Sequence, residues 1–149
     1  MCVCVHKTNS GTPSVASELS ESKLFILLSC LFSGTMSQEF PVGFVVFGLG
    51  RAGYIHASNI IRNPQARLKY IVDIDEGKAK EFVTSNYLDT KVVMPSDLET
   101  VLRDPNVNAA VITAPTHLHE ELVVNCLKAG KAVFCEKPIA PTVEAIGEC

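Results

Sequence analysis

Three glycines in the stretch FVVFGLGRAGYIHASNI, at positions 48, 50 and 53, carry the spacing G-x-G-x-x-G. That spacing suits a backbone that must approach phosphate. Gly48 permits a tight turn, Gly50 lets a pyrophosphate come close to the main chain, and Gly53 lets a helix pack tightly against a strand. Leu49, Arg51 and Ala52 complete the loop, whose free amides would face the phosphates at a helix N-terminus. Asp73 stands 20 residues beyond Gly53, where an acid would accept hydrogen bonds from adenosine ribose hydroxyls. A 2′-phosphate there would meet like charge, and Ile74, Asp75 and Glu76 follow rather than an arginine, so NAD is favoured over NADP. Lys137, next to Pro138, is the third candidate. An ammonium beyond the carboxyl end of a parallel strand would polarise a substrate hydroxyl or carbonyl and assist proton transfer. The plainer alternatives are a glycine turn chosen for its backbone angles, a solvated turn acid and a surface lysine.

Such residues serve chemistry only if strands and helices bring them together. The run VGFVVFG is apolar and β-branched without alternation, as a parallel strand covered on both faces requires. Residues 52–62 place Tyr54, Ile55, Ser58, Ile61 and Arg62 at helical spacing, and Asn63-Pro64 stops the helix. LKYIVDID reads as a second strand, and DEGKAKEFVTSN as a helix with acids first and lysines later, the order its dipole favours. KVVM is a short third strand; PSDLETVLRDP opens with Ser96 three residues before Glu99, a capping-box pattern. VNAAVITA is a fourth strand, THLHEELVVNCLKAG a helix closed by Gly130, and KAVFCEKP a fifth strand ending in a turn. The fold class is α/β: a Rossmann-type doubly wound parallel sheet with the expected strand order 3-2-1-4-5.

Composition narrows the partners. With 47% hydrophobic and 19% charged residues the chain has the make-up of one globular domain. A formal net charge of −3, without any run of basic residues, excludes a nucleic-acid or anionic-membrane footprint and leaves a small molecule as partner. The six cysteines form no C-x-x-C pair, no metal site is expected, and Cys126 and Cys135 read as small core hydrophobes in a reducing, cytoplasmic setting. Residues 1–39 are Ser/Thr-rich and expected to be a poorly structured extension before a domain at 40–149. Their apolar stretch LFILLSCLF is too short to span a bilayer and lacks the basic leader of a signal peptide; Met36 offers an alternative start.

Taken together, GLGRAG at 48–53, APTHLH at 114–119 and AGKAVFCEKP at 129–138 resemble the Gfo/Idh/MocA family, the glucose-fructose oxidoreductase and inositol dehydrogenase relatives. The resemblance covers residues 41–149. It implies NAD(P) binding and an oxidoreductase acting by hydride transfer on CH–OH groups of a sugar, a cyclitol or a related polyol. It also implies that Lys137 contacts cofactor and substrate and carries the catalysis, with Glu136 beside the nicotinamide and Pro138 shaping the turn. Ala114 stands where the family commonly has threonine, Pro115 follows it, and His119 orients that loop or caps its helix. His117 is expected to face solvent, and His56 to be a packing or surface residue. The family continues into an α+β substrate domain, which supplies further catalytic groups and usually the oligomer interface. The sequence ends at TVEAIGEC, so the expectation is a truncated cofactor domain, inactive alone, whose polyol substrate and oligomeric state belong to a longer form. The alternative is a non-catalytic NAD-binding or interaction module. The fifth strand is also expected to carry an unpaired edge.

Overall fold

The computed structural model describes residues 41–138 and a short strand at residues 2–4. Six strands form one sheet: β1 (Cys2–Cys4), β2 (Val42–Phe47), β3 (Ala66–Val72), β4 (Lys91–Val93), β5 (Ala109–Ile112) and β6 (Ala132–Cys135), in the order β1-β6-β5-β2-β3-β4. Strands β2 to β6 are parallel, and β4-β3-β2-β5-β6 is the expected order 3-2-1-4-5. The edge of β6 differs from expectation. It is not bare, because β1 pairs with it antiparallel, Cys2 opposite Cys135 and Cys4 opposite Val133. The expectations for residues 5–40, including LFILLSCLF and Met36, and for TVEAIGEC lie outside the described residues.

Because β2 is buried along nearly its whole length, successive side chains must find apolar cover on opposite faces. Phe44 and Val46 join Leu49, Ala57, Ile60, Ile71, Phe82 and Phe134 in one layer, under helices α1 (Arg51–Arg62) and α2 (Glu76–Ser85). Val45 and Phe47 join Val101, Val107, Ile112, Val123 and Cys126 in the other, under α3 (Leu98–Arg103) and α4 (His119–Lys128). The sheet is therefore wound on both faces. Each fully buried Val, Ile or Phe contributes on the order of 1.5–3 kcal/mol, so these two layers hold the strand ends in register. Cys126 and Cys135 are buried inside the second layer, and burial pushes the Cys126 thiol up to about 12.

One local detail adds to the sequence reading and two depart from it. Helix α1 buries Gly53, Ala57 and Ile60, while Tyr54 and Ile55 face outward. Small residues at 53 and 57 let the helix axis approach the sheet more closely than the bulkier stripe would. The Ser96–Glu99 capping box is not formed: a 3-10 turn at Pro95–Asp97 precedes α3, its cap position is Asp97, and the Ser96 hydroxyl lies 3.4 Å from Asp97 Oδ2. Helix α4 likewise starts at His119, after a 3-10 turn at Thr116–Leu118. Its end follows the expectation, with Gly130 at φ 72° just beyond Ala129.

Candidate functional site

Parallel strands point their carboxyl ends the same way, so everything that follows β2, β3, β5 and β6 gathers along one edge of the sheet. Gly48 to Gly53 follow β2, Asp73 follows β3, Thr113 to Pro115 follow β5, and Glu136 to Pro138 follow β6. The neighbours β2 and β5 are where the strand order reverses, the crevice in which this architecture takes its ligands.

The glycine loop is built by collision. Gly48 has φ 85°, and a side chain there would lie 2.9 Å from the Ala114 backbone. At Gly53 an added Cβ would stand 1.9 Å from the Gly48 carbonyl oxygen, so the first turn of α1 sits directly on the loop. Gly50 is different: a Cβ there meets no atom within 4 Å, at an ordinary φ of −65°. Packing within the described residues does not demand glycine at 50, and what its missing side chain leaves is an open cradle beside the start of a twelve-residue helix. The residues present thus fit a pyrophosphate, held by loop amides at the positive end of α1.

Asp73 does more than its spacing suggests. Its carboxylate accepts the Leu49 amide through Oδ2 and the Asp75 amide through Oδ1 at 2.8 Å, tying the end of β3 to the glycine loop. Leu49 itself is fully buried, which pins the loop from below. Asp75 in turn caps α2 by accepting the Lys78 amide at 3.0 Å. Ile74, between the two acids, is exposed.

Two contributors escaped the sequence reading. Ala114 lacks the hydroxyl common in the family, yet the preceding Thr113 donates its hydroxyl to the Gly48 carbonyl at 2.6 Å, with the Phe47 carbonyl 3.0 Å away. A threonine at the end of a buried strand was the available signal. His56, expected to be packing or surface, donates from Nε2 to Glu136 Oε1 at 2.9 Å and lies against the Phe134 ring, 4.9 Å between centroids. No pattern in the sequence links two residues 80 positions apart. The remaining oxygen of Glu136 accepts the Lys137 amide at 3.3 Å. The His56 bond, against the opposing effect of burial and with help from the Lys137 amide, holds the Glu136 carboxyl below the usual glutamate range.

His119 is buried and its ring lies between two loops, with Nε2 2.6 Å from the Ala114 carbonyl oxygen and Nδ1 2.8 Å from that of Pro138. The ring makes no cap bond to α4; it joins the loop after β5 to the turn after β6. His117 faces solvent, and so do Lys137 and Pro138, joined by a cis peptide bond. Among the described residues no group of three His, Cys, Asp or Glu is placed to hold a metal ion, and no helix is long and apolar enough to cross a membrane.

A glycine loop between a central parallel strand and a helix, with an acid at the end of the neighbouring strand, defines a dinucleotide-binding Rossmann domain. Residues 42–149 match the family model described as the oxidoreductase family (GFO_IDH_MocA), NAD-binding Rossmann fold, and the chain belongs to that family. It is 40% identical over 95 residues to the myo-inositol 2-dehydrogenase of Thermotoga maritima, covering 64% of this chain and 28% of that protein. It is 33% identical over 107 residues to the scyllo-inositol 2-dehydrogenase (NAD(+)) of Bacillus subtilis, covering 71% of this chain and 30% of that one. The myo-inositol dehydrogenase of Lactobacillus casei, solved in complex with NAD(H) and myo-inositol, superposes with a TM-score of 0.65 at 31% identity, over 71% of this chain and 31% of that one. The chain thus spans about a third of the length of the curated relatives it matches.

Proposed function

We propose that this chain is the cofactor-binding part of an NAD-dependent dehydrogenase that oxidises a CH–OH group of a cyclitol, sugar or related polyol. The observation that carries the reading is the open space at Gly50, kept beside two glycines that close contacts do explain. In this reading the loop Gly48, Leu49, Gly50, Arg51, Ala52, Gly53 holds the pyrophosphate, and Asp73 accepts from the adenosine ribose while bracing Leu49. Ala114, Pro115, His119, Glu136 and Pro138 frame the other half of the cofactor. The nicotinamide, when bound, supplies the acceptor for the hydride that leaves the substrate carbon as its hydroxyl becomes a carbonyl. Lys137 is the catalytic residue: its exposed ammonium donates a hydrogen bond to the reacting oxygen and steadies the charge that builds there as the hydroxyl proton passes to a base outside the described residues. The polyol is a substrate of a longer form, as is any oligomer, and no nucleic acid or membrane takes part. A cytoplasmic setting belongs to the same reading, supported by the free thiol of Cys126.

This reading takes NAD over NADP, because a 2′-phosphate near Asp73 would meet like charge and Ile74, Asp75 and Glu76 follow it rather than an arginine. A charge-assisted hydrogen bond contributes about 1.5–3 kcal/mol, so the preference is roughly ten- to hundredfold. Calorimetric titration of both dinucleotides into the purified chain tests this: saturable NAD binding with weaker NADP binding is expected, and binding of neither ends the reading. In a form long enough to bind polyol, Lys137→Ala is expected to lower kcat far more than NAD affinity. Equal losses would remove Lys137 from the chemistry.

A further inference from the structure

The order of the sheet fixes how a dinucleotide must lie. Asp73 follows β3 and the glycines follow β2, so a ligand with its adenosine ribose at the first and its pyrophosphate at the second would extend away from β3, over the ends of β5 and β6. The groups waiting there are Thr113, Ala114, Glu136 and Lys137. Of these, Glu136 is the one whose side chain is joined to the glycine-loop helix, through His56. The His56 and Glu136 side chains are 12% and 24% exposed, so the pair is shielded yet open on one side.

We infer that His56 is a positioning residue: from the helix that carries the phosphate cradle it holds the Glu136 carboxylate, and through it the Lys137 backbone, at the nicotinamide end of the bound cofactor. The inference rests on the NAD reading above. Three contacts support it. His56 Nε2 donates to one carboxylate oxygen, the Lys137 amide donates to the other, and the Phe134 ring beside the imidazole limits its rotation. The carboxylate is thereby a strut between α1 and the turn after β6. Without His56, one oxygen of Glu136 loses its side-chain donor and the carboxylate is free to swing about its χ angles. The Lys137 amide then follows no fixed acceptor. A carboxylate held here would attract the positively charged ring of a bound oxidised nicotinamide, an attraction that ADP-ribose, which lacks that ring, would not share.

The two ligands make the test specific. NAD and ADP-ribose are titrated into the wild-type chain, His56→Phe and His56→Gln, with thermal unfolding of each variant followed in parallel. Phenylalanine keeps a ring against Phe134 and deletes the donor; the glutamine amide restores an N–H near the position of Nε2. His56→Phe is expected to weaken NAD about three- to tenfold while changing ADP-ribose less than about twofold, and His56→Gln to recover most of the loss. Equal weakening of both ligands, or no change in NAD, overturns the assignment of His56 while leaving the nucleotide reading intact. A folded wild-type chain that binds neither ligand overturns that reading, and this inference with it.

Discussion

The two ends of the sheet are made of similar residues and put them to opposite uses. At the amino end, Asp104 accepts the Tyr70 hydroxyl at 2.8 Å and the Asn106 amide at 2.8 Å, while its carbonyl accepts the ammonium of the buried Lys131 at 2.8 Å. Asn108 Oδ1 accepts the Gly43 amide at 2.8 Å, and an added Cβ on Gly43 would come within 1.8 Å of the Asn106 carbonyl. That end is filled and internally bonded. At the carboxyl end, the struts from Asp73 to Leu49, Thr113 to Gly48 and His56 to Glu136 are equally direct, but they surround an open cradle at Gly50 and an exposed Lys137. Polar groups that satisfy one another stabilise a fold; polar groups braced around a space are arranged for something that enters it.

The sharpest way to break this comparison is to add one methyl group at each end. Gly53→Ala and Gly43→Ala both drive a Cβ into a backbone carbonyl that cannot swing aside, and each is expected to destabilise by about 1–3 kcal/mol or more. Only Gly53→Ala should also abolish NAD binding. If folded Gly43→Ala lost NAD affinity as well, the two ends would not be separate in function, and parallel calorimetry and thermal melts decide it. Next in size is Gly50→Ala, which enters open space and should leave the melting temperature within a few degrees while lowering NAD affinity about tenfold or more. Unchanged affinity would mean the cradle is not where phosphate binds.

The smallest effect expected is in acid. At the amino end, burial pushes the Asp104 carboxyl up, but the Asn106 amide, the Tyr70 hydroxyl and the Asn106 side chain donate to it, with Lys69 nearby, and bring it below the usual range. Glu136 is lowered at the other end, chiefly by His56. A carboxyl lowered on folding contributes stability that is present above its unfolded value of about 4 and lost as pH falls through the folded value. Both ends should therefore weaken together below about pH 4. Glu136→Gln is expected to make the acid-side fall in unfolding free energy shallower; an unaltered slope would show that the carboxyl contributes nothing there.

Much of the carboxyl end was legible because its signals are local. The glycine spacing lies within six residues and the reach to Asp73 is one helix and one strand, so strand order and cradle follow from short-range pattern. What was illegible depended on facing. The helical spacing of Tyr54, Ile55, Ser58, Ile61 and Arg62 does not say which face is buried; Gly53 and Ala57 turn inward because only small residues fit the close approach of helix and sheet. The Ser96 cap lost to a 3-10 turn, and the bond from the Thr113 hydroxyl to the Gly48 carbonyl had no sequence pattern to announce the pairing.

By itself, then, the sequence determined the parallel sheet with helices on both faces, the turn at Gly48–Gly53 and the acid that follows, because hydrophobic period and glycine stereochemistry act over a few residues. The tertiary structure alone decided the partners: His56 with Glu136, His119 between the Ala114 and Pro138 carbonyls, Asp73 with Leu49, and Cys2–Cys4 on the β6 edge. Each of these joins residues at least 24 positions apart, except the short reach from His119 to Ala114 and the 19 to Pro138. Such contacts form only once the strands have been laid side by side, since a hydrogen bond requires a partner within about 3 Å and sequence distance does not fix that separation.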